Sequence, residues 1–276
     1  MVTVERELEL TDEELTRIAR LVYDRSGILL HEGKRPLVIA RLQKRLRAHG
    51  LTSFTAYVDL VQRDRTGDEL VLLLDAIATN HTYFFREEQH FALLASRVVP
   101  EWRLQRSAVP LRVWSAACSS GEEPYTIAMT LADLPSPVEF AILASDMSTK
   151  VIAAARSGVY NVAGVESLTP HVLGRHFERG PELESGQARV TPGIRRRVSF
   201  RNMNLLEIGD VGERFDVIFC RNVMIYFDKH VQQRVVSMLE RHLTPTGYLF
   251  ISHSESLTGL EHSMRWVAPA VYTRRA

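Results

Sequence analysis

The chain has 276 residues, enough for one large or two modest domains. At 45% hydrophobic and 24% charged, with a formal net charge of +1, it has the make-up of a soluble globular protein with no global pull toward nucleic acid or an anionic membrane. It holds no apolar run near the roughly 18 residues of a membrane span, and the acid-bearing start MVTVERELELTDEEL is not expected to be a signal peptide.

Cys118 and Cys220 are the only cysteines and form no CxxC pair. That speaks against a zinc centre and for a reducing compartment, the cytoplasm. The ten histidines show no ligand spacing, so no metal is expected. There is no internal repeat and no low-complexity tract.

Residues 1–79 read as a small helical bundle. Thr11 or Asp12 can cap a first helix whose apolar positions Leu15, Ile18, Leu21 and Val22 fall at helical spacing, ending near Gly27. A second helix runs Lys34–Ala48, with Leu37, Leu42 and Leu46 inward and Gly50 closing it. Ser53 opens a third over Phe54, Tyr57, Val58 and Val61, and Asp68–Ala78 makes a fourth.

From about residue 111 strand and helix alternate, the signature of a doubly wound sheet. Leu111–Trp114, Val138–Ala144, Val198–Phe200, Phe215–Cys220 and Tyr248–Ser252 are the strands, and Met264–Thr273 can add a terminal pair. Helices are expected at Glu122 onward, at Met147–Arg156 before Gly158, and at Asp228–Leu243, closed by Pro245 and Gly247. Residues 159–197 are too long for a βα loop and are rich in Gly and Pro. They predict an inserted subdomain of short strands, with a helix near Thr169–His176.

The stretch LRVWSAACSSGEEPY, residues 111–125, carries the most chemical information. A buried strand feeds a small-residue turn into a helix, the arrangement by which open α/β sheets bind nucleotide-like cofactors. A helix N-terminus favours anions, but Glu122 and Glu123 at that place would repel a pyrophosphate. They suit a ligand with hydroxyls, an amine or a cation, and S-adenosylmethionine (SAM) is such a ligand. The competing reading is a plain capping turn.

Four further segments can face the same crevice. Asp146, 23 residues after Glu123, can accept from both ribose hydroxyls or can cap the helix that follows. Asn204 can bond an adenine edge with Leu205 packed on its face, or serve only as a turn residue. Arg221 and Asn222 interrupt an apolar run; a buried arginine needs a partner, either a ligand carboxylate or an internal acid. The segment Asn80–Glu87 reads equally as a packed linker or as a lid over the crevice.

Together these segments resemble the chemotaxis receptor methyltransferases, the CheR family. The matching strings are NHTYFFRE (80–87), RVWSAACSSGEEPY (112–125), ASDMSTKVIAAARSGVY (144–160), FCRNVMIYFD (219–228), HSES (253–256) and the basic KRPLVIARLQKRLRAHG (34–50). The resemblance implies a helical domain over residues 1–79 and a SAM-binding α/β domain over 80–276, with the β-subdomain inserted at about 159–197. It implies methyl transfer from SAM to glutamate carboxylates of chemoreceptors, with S-adenosylhomocysteine (SAH) as product. Carried over by position, the cofactor contacts fall on Asn80, Thr82, Arg86, Glu123, Asp146, Asn204, Leu205, Arg221 and Asn222. The partner implied is the cytoplasmic helical domain of methyl-accepting chemoreceptors, with a monomer as the default state.

A glutamate is already ionised at neutral pH, so attack on the sulfonium methyl needs no general base. What remains is alignment and exclusion of water. Tyr226 and Arg221 are the candidates for steering the acceptor, with Tyr226 as a packed aromatic the alternative. The basic helix offers Lys34, Arg41, Lys44, Arg45 and Arg47 to an acidic helical receptor surface, where charge would set encounter rate and orientation. A solvated face is the alternative there. The stretch Arg179–Gly186 lacks the closely spaced Gly-x-Gly with which some family members grip a receptor's C-terminal peptide, and Pro181 restricts it further.

Overall fold

The structure, a computed structural model, describes residues 9–106, 109–179 and 186–274. Contacts divide the chain into two units: 1–79 with Tyr226–Asp228, and 80–225 with 229–276.

The first unit holds α1 (Asp12–Ser26), α2 (Arg35–Ala48), α3 (Phe54–Arg63) and α4 (Asp68–Ile77). A capping box starts α1: the Thr11 hydroxyl accepts from the Glu14 N–H, and the Glu14 carboxylate accepts from the Thr11 N–H. Gly27 ends it in the left-handed conformation. The same Glu14 carboxylate also takes the Thr55 N–H and hydroxyl at 2.8 Å each, which pins the start of α3 to α1. On α2 the buried positions are Val38, Leu42 and Leu46, with Leu37 only half-buried. Leu42 and Leu46 face inward as expected, and Val38 replaces Leu37 at the head of the stripe, because Val38, Leu42 and Leu46 follow a strict four-residue spacing. Fully buried Phe54 and Tyr57 fill the centre. Residues 226–228 join this unit through Tyr23, whose hydroxyl donates to Asp228 at 2.6 Å, and through the Leu29 N–H, which donates to the Tyr226 carbonyl at 2.9 Å.

The second unit opens with α5 (Gln89–Leu93), a wide turn over Leu94–Val98 and α6 (Val99–Arg106). There follow β1 (Leu111–Ala116), α7 (Glu122–Ala132), β2 (Phe140–Asp146), α8 (Thr149–Ser157), β3 (Val159–Asn161), α9 (Pro170–His176), β4 (Phe177–Glu178), β5 (Gln187–Val190), α10 (Pro192–Arg195) and β6 (Val198–Asn202). The chain ends with β7 (Phe215–Cys220), α11 (Lys229–His242), β8 (Leu243–Phe250), β9 (Arg265–Ala268) and β10 (Val271–Thr273).

Seven strands form one sheet in the order β6-β2-β1-β7-β8-β10-β9. The first five run parallel, and β10 is antiparallel to both its neighbours. Every residue of β7 is buried, as a central parallel strand covered on both faces requires. The insertion between α8 and β6 makes a separate antiparallel sheet, β3-β5-β4. The fold is thus a doubly wound methyltransferase-type sheet with a small antiparallel β-subdomain and an all-helical first unit.

Most element ends fall within two residues of expectation, and the largest difference lies at the start of β8. Pro245 and Gly247 do not close α11; they lie inside β8. The pairing with β7 shifts register there, between Phe215 and Val217, so the strand starts early around an irregular step. A Cβ at Gly247 would stand 3.1 Å from the Phe215 carbonyl and 2.9 Å from Leu243, so the backbones approach too closely for any other residue. The Arg179–Gly186 turn falls largely on residues 180–185, outside the described residues.

Candidate active site

The chain leaves β1 for β2 and β6 on one side and returns to β7 on the other. The reversal places a crevice at the carboxyl ends of β1 and β7, where ligands of open α/β sheets bind. Five segments converge there.

The turn after β1 places Ala117, Ser119 and Gly121 at φ of 65°, 50° and 97°. A Cβ at Gly121 would meet Ala155 at 2.9 Å and the Tyr160 hydroxyl at 3.0 Å, so only glycine fits. Glu123, in the first turn of α7, points back to the sheet. Its carboxylate accepts from the Ser115 hydroxyl at 2.7 Å and from Arg221 Nη1 at 3.0 Å. Burial pushes the Glu123 pKa up, with Arg221 and Ser115 opposing. Glu122 accepts from the Ser120 hydroxyl at 2.7 Å, and burial raises its pKa too.

Asp146 ends β2, buried. One carboxylate oxygen takes the Ser119 N–H at 2.9 Å and the other the Ser148 N–H at 3.0 Å. The cap of α8 is Ser148, whose hydroxyl accepts from the Val151 N–H, so Asp146 ties the β1 turn to the α8 entry and leaves the capping to Ser148. Beyond β6, the Asn204 side chain accepts from the Leu206 N–H at 3.1 Å, a local turn bond, and Leu205 is half-buried.

Arg221 follows β7 with its side chain only 2% exposed. Its guanidinium faces Glu87 at 3.1 Å and Glu123 at 3.0 Å and donates to the Arg86 carbonyl. The internal acids therefore supply partners for the guanidinium, one of the two readings the sequence left open. Asn222 stands at φ 59°, and its side-chain amide donates to the Ser252 hydroxyl at 2.6 Å.

The segment before α5 is packed rather than hinged. Phe84 is buried edge-on to Tyr160 and Phe177, with ring centroids 4.9 and 5.4 Å away. The Asn80 carbonyl accepts from the Ser119 hydroxyl at 2.9 Å. Arg86 donates to the His81 carbonyl and lies over the Tyr83 ring; Thr82 is half-buried beside them in sequence. The lid reading gives way to the packed-linker reading, because an aromatic anchor in the core fixes the segment.

Sequence reasoning did not single out four residues that build this site. Glu87 takes the Ser252 hydroxyl at 2.7 Å; burial works against its charge, but Ser252, Arg221 and the His253 N–H outweigh that and hold its pKa low. Glu255 receives four backbone N–H groups, from Asn222, Val223, Met224 and Ser252, at 2.7–3.1 Å. It fixes the loop after β7 against the turn after β8, although burial raises its pKa. Ser252 links Glu87 to Asn222. His90 is buried, and burial, with Arg221 next, pushes its pKa down to about 4. The signal available in the sequence was the acid five residues beyond the apolar end of β8, in the string ISHSES.

Among the described residues, six non-glycine positions have positive φ: Phe85, Glu87, Ala117, Ser119, Asn222 and Ala270. The first five belong to this cluster. Such backbone costs on the order of 1–3 kcal/mol each and persists where function requires the geometry.

The remaining predicted residues lie in the helical unit. Tyr226 is half-buried there. On α2, Arg45 is spent on buried Glu69, at 2.6 Å, and Arg41 donates to the Ile77 and Ala78 carbonyls and to Thr79. Arg41 and Arg45, expected on a docking face, thus fasten α2 to α4 and its exit. Lys44 and Arg47 are exposed, and Lys34 is half-buried.

Residues 80–272 match the family model described as CheR methyltransferase, SAM binding domain, and residues 13–78 match CheR methyltransferase, all-alpha domain. The chain belongs to the CheR methyltransferase family. It is 42% identical over 268 residues to the chemotaxis protein methyltransferase of Escherichia coli K12, covering 96% of this chain and 92% of that one. Chemotaxis protein methyltransferase 2 of Pseudomonas aeruginosa is 42% identical over 273 residues, covering 97% and 95%. The Borreliella burgdorferi chemotaxis protein methyltransferase is 36% identical over 275 residues, covering 97% and 96%. The CheR chain is thus a SAM-dependent methyltransferase. Its strand-end cluster fits that cofactor: Glu122, Glu123 and Asp146 surround the start of α7 with negative charge, which suits ribose hydroxyls, an ammonium and a sulfonium and opposes a phosphate. No helix among the described residues is long and apolar enough to cross a membrane.

Proposed function

We propose that this CheR-family enzyme transfers the SAM methyl group to side-chain carboxylates of glutamates on chemoreceptors, giving glutamate methyl esters. The observation that carries the reading is the full-length similarity to chemotaxis protein methyltransferases. The site agrees chemically. An ionised carboxylate attacks the methyl in line, its C–O bond forms as the S–C bond breaks, and the thioether leaves uncharged. No proton moves, so the site's task is alignment and water exclusion.

In this reading Asp146 accepts from the ribose hydroxyls, and Asn204 and Leu205 face the adenine. Asn80, Thr82, Arg86, Glu123 and Asn222 hold the methionyl side and the approach to it. Arg221 acts through Glu123 and Glu87 as a positioning residue. Tyr226 steers the acceptor by a light hydrogen bond that leaves its oxygen nucleophilic. The helical unit docks the receptor through Lys44, Arg47 and Lys34, attracted to acidic receptor helices of the cytoplasm. The experiment is incubation with methyl-labelled SAM and a chemoreceptor cytoplasmic fragment, followed by mild base. Released labelled methanol is the expected result. Label that stays base-stable, or that appears in RNA, would assign another acceptor.

A further inference from the structure

At the edge of the strand-end cluster, three side chains with metal-ligating atoms come together from the start of α5 and the turn after β8. Glu87, His90 and His253 each present a donor atom, and the three atoms lie within 4.8 Å of one another. Glu87 Oε2 is 3.5 Å from His90 Nδ1 and 3.7 Å from His253 Nδ1. His253 lies 166 residues beyond Glu87 in sequence, so no spacing motif announces the group.

His90 is the decisive member. It is 2% exposed, and neither ring nitrogen has a partner at good hydrogen-bond geometry. Its polar contacts are the Glu87 carboxylate, 3.5 Å from Nδ1, and the Pro269 backbone, both of which oppose the fall of its pKa. A buried polar nitrogen short of a good partner costs about 1–3 kcal/mol, which a ligand at that place would relieve. Nδ1 is directed at the Glu87 carboxylate. His253, with its side chain 40% exposed, stands at the solvent side. An open cavity of about 670 Å³, lined among others by His90, His253, Glu255 and Pro269, gives entry.

We propose that Glu87, His90 and His253 form a binding site for a divalent transition metal of the zinc class. Two imidazoles and one carboxylate are a set that Zn²⁺, Co²⁺ and Ni²⁺ accept at roughly 2.0–2.2 Å per bond. The two separations from Glu87 need to contract by less than about 1 Å, and the one between the imidazoles by at most about 2 Å, to reach a face of such a polyhedron. The exposed His253 can supply that movement. Arg221 stands 3.1 Å from the same Glu87 oxygen, yet Glu123 balances it and Glu255 borders the cavity, so the local formal charge is negative and a dication is admitted. The second Glu87 oxygen is oriented by Ser252, the outer-sphere support a metal carboxylate commonly has.

The test uses the tag-free full chain, stripped with chelator and titrated with Zn²⁺ against a chromophoric competitor. The expected result is one equivalent bound, weakened about tenfold or more in His253→Ala and retained in His230→Ala, a control at an exposed histidine outside the group. Co²⁺ should give visible d–d absorption in the wild type that His253→Ala and Glu87→Gln lose. His253→Ala carries the test because its side chain is exposed; thermal melting checks that each variant is folded, and SAH binding does so for His253→Ala and His230→Ala. Absence of Zn²⁺ binding in the wild type overturns the proposal. So does equal affinity in wild type and His253→Ala. Neither outcome touches the methyltransferase reading, which SAH binding reports separately.

Discussion

Each unit of the chain buries an ionic group, and the two are built in opposite ways. In the helical unit one carboxylate collects several donors: Glu69 takes Arg45 at 2.6 Å, His49 at 2.8 Å and the Tyr57 hydroxyl at 2.7 Å. Burial opposes the Glu69 charge, but these partners outweigh it and lower the pKa. In the sheet unit one guanidinium collects acceptors, and the satisfaction is incomplete. Arg221 Nε has no partner among the described residues, Glu123 has its pKa raised by burial, and positive-φ residues cluster around them. The first group holds helices together. The second stores unmet charge and strain where a cofactor with hydroxyls and a sulfonium can satisfy them, at the expense of local stability.

The comparison breaks most sharply at its two centres. Glu69→Ala strands Arg45 and Tyr57, so denaturant unfolding should show a loss of about 3–5 kcal/mol, with SAH affinity of the folded protein unchanged. Arg221→Gln should do the converse. Calorimetry should show SAH affinity down by about tenfold or more, while the fall in melting temperature is smaller than for Glu69→Ala, since burial already raises the Glu123 pKa and lets that acid take a proton. If Arg221→Gln only destabilises and leaves SAH affinity intact, the two groups are alike and the distinction fails.

Acid titration sharpens the contrast. Glu14 and Glu69 have folded pKa values below the unfolded value, so their stabilisation is present above about pH 4.3 and is lost as pH falls through the lowered values. Glu122, Glu123 and Glu255 have raised folded values. Their contribution is full below about pH 4.3 and is lost as pH rises through the raised values. Glu87, held low, works in the first sense within the sheet unit and partly offsets them. Trp102, Trp114 and Trp266, the three tryptophans, all lie in the sheet unit. Both units carry helices, so helical circular dichroism should be lost in two steps on acidification, the first of them preceding the change in tryptophan fluorescence; a single step coincident with the fluorescence change would contradict the assignment.

The smallest effect is expected at the surface. Lys44→Glu with Arg47→Glu should slow receptor methylation several-fold at low salt, less at high salt, with SAH affinity unchanged. A fall in SAH affinity instead would give these residues a structural role.

The same contrast explains what could be read from sequence. The strands announce themselves as largely apolar runs with a single acid each, VEFAILA and FDVIFC, because parallel strands are covered on both faces. The Glu-Glu pair at a helix start is legible because a helix terminus has a sign. What is not legible is pairing across the chain. Nothing local says that Arg45 will meet Glu69 on another helix, so a row of basic residues reads as an open face. Nothing local says that Arg221 will meet Glu87 and Glu123, so its partner is sought in a ligand. His90 and Glu255 lie in strings that match the family or adjoin it, yet their roles emerge only when the turn after β8 closes on the loop after β7. The step from Leu37 to Val38 is a matter of phase: one residue rotates a helix face by about 100°.

The account stands on the strand-end cluster as the seat of SAM. Its most direct test is calorimetric titration of SAH into the wild-type chain and into Asp146→Ala, whose buried carboxylate links the turn after β1 to the entry of α8. The account predicts a single site in the wild type and an affinity at least about tenfold weaker in Asp146→Ala, with the protein still folded. Absence of SAH binding to the wild type, or equal affinity in the two proteins, would contradict it.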